Sequence, residues 1–241
     1  MIILFSPAKT FKPTNERALS MPVFEDKALD LVKKIKKIPT NHLQKSMHLS
    51  DQLTSTVMTY YQTFNKEKKP AIYSYMGQAY KALDVYHFTH NHMKLLSERL
   101  YILSALYGIL KPLDGISYYR LDFNHHPFDS LYTYWRKPVN DYLRNTHPDD
   151  VIINLASKEF SQLIESNHTM VTLEFLTKKN DTFQSLSMHV KTMRGLFLRH
   201  LILYDIKTLD AIKDIVIDHY HYAPDHSNNQ MFVFIKDDTK K

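Results

Sequence analysis

Four glycines serve all 241 residues, and two of them, Gly108 and Gly115, fall inside one stretch, SALYGILKPLDGISYYRLD from Ser104 to Asp122. Glycine reaches left-handed backbone angles and lets another backbone or a ligand come close. A chain so poor in it has few places for sharp turns, and half of its supply is spent here. The spacing predicts a helix that ends near Tyr107 and breaks into a turn-rich loop carrying Lys111, Pro112, Asp114, Tyr118, Tyr119 and Arg120. Such a loop is either an ordered connection behind a helix cap or one wall of a site on a rigid scaffold.

The rest of the chain has the material for a large core. Hydrophobic residues make up 44% of it, enough for one α/β domain or two closely packed lobes. There is no cysteine, which excludes disulfides, thiolate metal sites and redox-sensing thiols in this chain. The opening MIILFSPAKT is too short an apolar run for a signal segment, and no window offers a membrane span. A cytoplasmic protein without a membrane partner is expected. Lys and Arg exceed Asp and Glu by 31 to 25, a balance that suits polyanions such as nucleic acid or phosphorylated ligands.

Strand and helix signals alternate. Ile2 to Phe5 reads as a buried strand that opens into a loop presenting Lys9 and Thr10. Ala28 to Ile38 is an amphipathic helix with Lys33, Lys34, Lys36 and Lys37 on its outer face. A short helix from Thr40 and a second from Asp51 follow. Ala71 to Tyr75 reads as a strand, and Ala79 to Leu83 starts a helix. Ile102 to Leu106 fits strand or helix equally. Pro138 is placed in the first turn of a helix that carries Trp135. Val151 to Leu155 is a strand, then comes a helix containing Phe160 and Leu163. Met170–Phe175 and Phe183–Val190 form a strand pair across the polar turn KKNDT, followed by a helix from Lys191 to Tyr204 and a terminal strand at Met231–Ile235. With no repeat and no long linker, the expected fold class is α/β (mixed α+β), a single compact domain over 1–241 with a mixed sheet covered by helices.

Several groups carry chemistry. Ser6, Lys9 and Thr10 follow the first strand, where α/β proteins bind ligands, and suit an anion. Arg120 behind Tyr118 and Tyr119 offers a bidentate clamp beside flat rings, or a structural ion pair with Asp114 or Asp122. Asn154, Ser157, Lys158 and Glu159 cluster beyond another strand, with helix capping by Ser157 as the competing account. Lys191 and Arg194 share a helix face, and Gly195 admits a close neighbour. His87, His90 and His92 lack a metal-ligand pattern, and no metal or cofactor is expected.

In their order and spacing SPAKT, MGQAYKAL from Met76, LSALYGILKPLD from Leu103, YYRLD from Tyr118, INLAS from Ile153 and MRGLFLR from Met193 resemble the YaaA family of peroxide stress proteins. That resemblance implies protection from hydrogen peroxide by limiting free iron, and DNA binding through a positively charged cleft and a helix-hairpin-helix element, for which 40–64 is the place. It implies site positions at Ser6, Lys9, Thr10, Gly77, Tyr80, Tyr107, Gly108, Pro112, Asp114, Tyr119, Arg120, Asn154, Ser157, Lys191, Arg194 and Arg199. The chain departs from the pattern at Gln78, Tyr118, Asp122, Phe160 and Thr192, and Arg136 and Lys137 add charge where glycine and aspartate are usual.

The leading expectation is a DNA-binding protein of peroxide defence, with Lys9, Lys111, Arg120, Lys191, Arg194 and Arg199 lining a basic cleft for phosphates. One alternative is an enzyme for a small phosphorylated or nucleotide-like substrate in a Lys9/Asp114/Arg120 cleft. There Asp114 is the general base, Tyr119 a further catalytic candidate and Arg120 the anion clamp. A third is direct iron sequestration.

Overall fold

In a computed structural model, which describes residues 1–179 and 182–237, the short apolar run Ile2–Phe5 forms an interior strand of a mixed sheet. All four of its residues are buried, as are all of Leu100–Ser104 and Ile152–Asn154 on either side. Strands apolar on both faces need cover on both, which the helices supply. The pairing is parallel from Leu100–Ser104 through Ile2–Phe5 and Ile152–Asn154 to Met170–Lys179 and Met231–Asp237. Antiparallel strands at Gly108–Leu110, Thr182–Gln184 and His221–Tyr222 complete eight strands among the described residues. The α/β class and the single compact fold are as expected. None of the helices among the described residues is long and apolar enough to cross a membrane.

The strand order creates a crevice. From the end of Ile2–Phe5 the chain leaves toward Leu100–Ser104, and from Ile152–Asn154 it leaves the other way, toward Met170–Lys179. Adjacent parallel strands whose connections diverge leave a gap at their carboxyl ends, where open α/β sheets bind ligands.

Several local expectations are corrected. No helix ends at Tyr107: Leu100–Ser104 is a strand that turns through Tyr107 and Gly108 into Gly108–Leu110. Gly108 makes that hairpin possible, with φ of +73° and the Trp135 ring only 2.6 Å from where a Cβ would stand. Ala71–Ser74 is one helical turn rather than a strand. Pro70 caps it, and the Ala71 and Ile72 N–H groups donate to Asp114 O and Pro112 O, so no ladder partner is needed. Pro138 lies well inside the helix Leu131–Thr146, because Ser130 caps that helix earlier, accepting the Thr133 N–H at 3.2 Å. The strand from Phe183 is only Thr182–Gln184, and the next helix already starts at Ser187 and runs to Leu203. The centre of the KKNDT turn, Asn180–Asp181, lies outside the described residues.

The 40–64 segment holds helices Thr40–Ser46 and Asp51–Gln62. In the link between them, Met47, His48 and Leu49 N–H groups all donate back to carbonyls of the first helix, at Leu43, Lys45 and Gln44. These amides are therefore spent within the pair.

Candidate functional site

The crevice holds a pocket with a cavity of about 350 Å³, at the lower end of the range for small-ligand sites. Its walls come from five places. Ser6–Thr10 leaves the strand Ile2–Phe5, and Met76–Tyr80 opens a short helix. Tyr119–Asp122 is the end of the glycine-bearing stretch, and Leu155–Phe160 follows the neighbouring strand. Lys191 and Arg194 come from the Ser187–Leu203 helix.

Ser6 joins three of these walls. Its hydroxyl accepts the Ser157 N–H at 2.8 Å, and its carbonyl accepts the Tyr80 hydroxyl at 2.9 Å. Helix packing fixes the fifth wall, since a Cβ on Gly195 would stand 2.1 Å from the Ala79 carbonyl oxygen. Gly195 thus admits a backbone rather than a ligand. Arg199 ties the same two helices, donating to Leu83 O and Asp84 O at 2.9 and 2.8 Å and pairing with the Asp84 carboxylate at 3.3 Å.

Two carboxylates face the cations. Asp122 is almost buried, with Lys9 Nζ at 2.7 Å and Arg120 Nε at 3.7 Å from its Oδ2. Glu159 Oε1 accepts the Phe123 and Asn124 N–H groups at 3.1 and 3.4 Å, which anchors the loop beyond Asp122. Behind them lies a chain of hydroxyls. Ser104 Oγ already accepts the Leu106 and Tyr107 N–H groups, so its own hydrogen goes to Tyr119, 2.7 Å away. Tyr75 lies 2.8 Å from the same phenol oxygen. Burial pushes the Tyr119 phenol up to about 12, and the bonds with Ser104 and Tyr75 hold it from going higher. It is a neutral hydrogen-bonding group at physiological pH.

Of the residues expected from sequence, Ser6, Lys9, Thr10, Gly77, Tyr80, Tyr119, Arg120, Ser157, Lys191 and Arg194 meet at this pocket. Seven do not. Gly108 forms the hairpin against Trp135, and the Pro112 carbonyl accepts the Ile72 N–H. The Tyr107 hydroxyl accepts the Ser117 N–H, a tie inside the core. Asn154 binds Thr172 and the Ala156 N–H, which holds strand ends together. Arg199 serves the helix pair. Lys111 and Asp114 line a separate pocket with Ser20 and Tyr101. The Lys9/Asp114/Arg120 cleft is therefore not formed. Asp114 staples its own loop, accepting the Ser20 hydroxyl at 2.6 Å and the Lys111 N–H at 2.8 Å. Arg136 and Lys137 sit on the Leu131–Thr146 helix away from the pocket, Lys137 in an exposed pair with Asp141. Asp122 and Glu159 also line the pocket: the sequence offers Asp122 only as an ion-pair partner of Arg120 and Glu159 only as a member of the polar cluster after a strand. Among the described residues, no three His, Cys, Asp or Glu side chains are grouped to hold a metal ion.

Burial raises the Asp114 carboxyl above its ordinary value, with Ser20 and the Lys111 N–H pulling it back. Its folded pKa thus exceeds the unfolded one, so Asp114 favours the fold below the unfolded pKa and loses that contribution as pH rises through the folded one. Asp114→Asn should abolish this step in denaturant titrations across acid pH. At neutral pH it should cost no more than about 1 kcal/mol, because the Asn oxygen can still accept the Lys111 N–H while its NH₂ donates to a Ser20 hydroxyl turned to accept. Binding in the Ser6–Arg194 pocket should be unchanged, and a loss there in folded protein would return Asp114 to the site.

The model of the family described as peroxide stress protein YaaA matches residues 1–226. This chain belongs to the YaaA family. Relatives across nearly its full length include UPF0246 proteins of Fusobacterium nucleatum and Marinomonas sp., each 33% identical over 98% of this chain and over 99% and 97% of their own. A UPF0246 protein of Flavobacterium psychrophilum is 31% identical over 98% of this chain and the whole of its own. Membership of the YaaA family is consistent with a role in peroxide stress, and the pocket at the strand ends brings together Lys9, Arg120, Asp122, Glu159, Lys191 and Arg194.

Proposed function

We propose that this YaaA-family protein acts in peroxide defence by binding DNA, with the phosphates of an unpaired strand on the cations of the pocket and its rim. The observation that carries the reading is the convergence of Lys9, Arg120, Lys191 and Arg194 on one crevice. The size of the cavity admits a nucleotide rather than a duplex, and aromatic groups beside cations are what single-strand sites use.

Such binding is expected to weaken as salt rises, log K falling by roughly 0.7 per log unit of salt for each phosphate neutralised on a single strand. Fluorescence anisotropy with single-stranded and duplex oligonucleotides, on wild type, Lys9→Ala, Arg120→Ala and Lys191→Gln, provides the test. Affinity that ignores salt, or folded variants that bind like wild type, would remove DNA from this pocket.

A second reading, an enzyme for a small phosphorylated or nucleotide-like substrate, is favoured by Asp122 and Glu159 and by the Tyr119 phenol in the same pocket. Phosphate binding alone has no need of two carboxylates. In this reading Asp122 takes the place expected of Asp114.

A further inference from the structure

The four cations of the pocket are not equivalent. Lys9 and Arg120 are already engaged by Asp122. Lys191 and Arg194 form no hydrogen bond or ion pair with any described residue. They stand three residues apart on one face of the Ser187–Leu203 helix. Arg194 Nε is moreover buried, and no acceptor meets it. Burial lowers the Arg194 guanidinium from its ordinary value, and only Glu174 works against that. A buried cationic N–H without an acceptor is costly, and an oxyanion with several oxygens settles the debt of both side chains at once. Arg120 Nε likewise meets no hydrogen-bond acceptor, but its guanidinium lies 3.7 Å from Asp122 Oδ2 and donates to Lys9 O at 3.3 Å, so among the described residues the pocket cations without any partner are Lys191 and Arg194.

The remaining walls ask for a different chemistry. Tyr80 and Phe160, backed by the buried Phe5 and Leu155, turn aromatic edges toward a flat ring. Glu159 has given one carboxylate oxygen to the Phe123 and Asn124 N–H groups, and its other oxygen has no partner among the described residues. It can accept from a ligand hydroxyl or amino group. A phosphate at one end, a planar ring and donors at the other describe a nucleotide.

We propose that the pocket binds a free nucleoside monophosphate, with its phosphate on Arg194 and Lys191, its base against the Tyr80 and Phe160 wall, and Glu159 accepting from the nucleoside. This rests on the pocket being the functional site proposed above, and it commits to a mononucleotide instead of a strand.

Isothermal titration calorimetry with adenosine and uridine monophosphates, adenosine, inorganic phosphate and a single-stranded oligodeoxyadenylate tests it. A monophosphate should bind wild type about 10- to 100-fold more tightly than adenosine, the worth of a charge-assisted contact. Arg194→Gln should remove that advantage and leave adenosine binding as it was. Lys191→Gln, on an exposed side chain, should remove part of it and carries the test if Arg194→Gln does not fold. The proposal is overturned if neither monophosphate binds wild type, or if folded Arg194→Gln and Lys191→Gln both bind like wild type. Oligonucleotide binding without monophosphate binding would sink this proposal and leave the DNA reading standing. The reverse result would sink the DNA reading alone.

Discussion

Gly195→Ala is expected to cost about 2 kcal/mol of stability and to weaken ligand binding in whatever protein still folds. In an ordinary exposed helix the same change would gain up to ~1 kcal/mol, because alanine is the better helix former. Here the new methyl would stand 2.1 Å from the Ala79 carbonyl oxygen and 2.8 Å from Ala82 Cβ. The first obstacle is backbone, which cannot swing aside like the end of a side chain. Overpacking of this kind typically costs 1–3 kcal/mol, more than the helix gains. The helices forced apart are Gln78–Leu83 and Ser187–Leu203, and both wall the pocket. Denaturant unfolding with a ligand titration on the folded fraction checks both effects. A variant as stable as wild type would mean the two helices are free to separate.

Gly108→Ala should be more damaging, with an expected loss of about 3 kcal/mol or more. Two terms act together. The φ of +73° lies in the left-handed region, where a Cβ costs about 1–2 kcal/mol. The Cβ would also stand 2.6 Å from the six-membered ring of Trp135, a fully buried side chain whose indole N–H donates to Ala105 O at 2.8 Å. Trp135 is the only tryptophan in the chain. Its fluorescence therefore reports the collision directly, and the variant should show a shifted emission maximum before any denaturant is added. Unchanged emission together with unchanged stability would contradict the geometry of this turn.

These two glycines show where sequence reading works and where it stops. Scarcity pointed to Ser104–Asp122 as a special stretch, and it contains both a strained hairpin and the Tyr119–Asp122 wall of the pocket. The sequence leaves Ile102–Leu106 open between strand and helix, and with it a helix end near Tyr107, because a short apolar segment has no period that separates a buried strand from a buried helix. Lys9, Arg120, Lys191 and Arg194 were legible as site residues from their residue type and their place after strands or on a basic helix face. Asp114 was misplaced because sequence shows a carboxylate in a loop but not its partners, and here Ser20, distant in the chain, consumes it. Glu159 was visible as part of a polar cluster. Its role depends on the N–H groups of Phe123 and Asn124, a pairing that only the tertiary structure makes.

Ser157 stands at the N-cap of the short helix Lys158–Ser161, where the backbone amide has no partner within the helix and ordinarily exchanges with solvent fast. This one is held by Ser6, a side chain from the far end of the sequence, so it is released only when the ends of the two parallel strands part. Local opening and global unfolding differ widely in free energy within one protein. The exchange rate of that single amide is consequently a clock for breathing at the floor of the pocket, and a ligand bound there slows it without touching Ser157 at all.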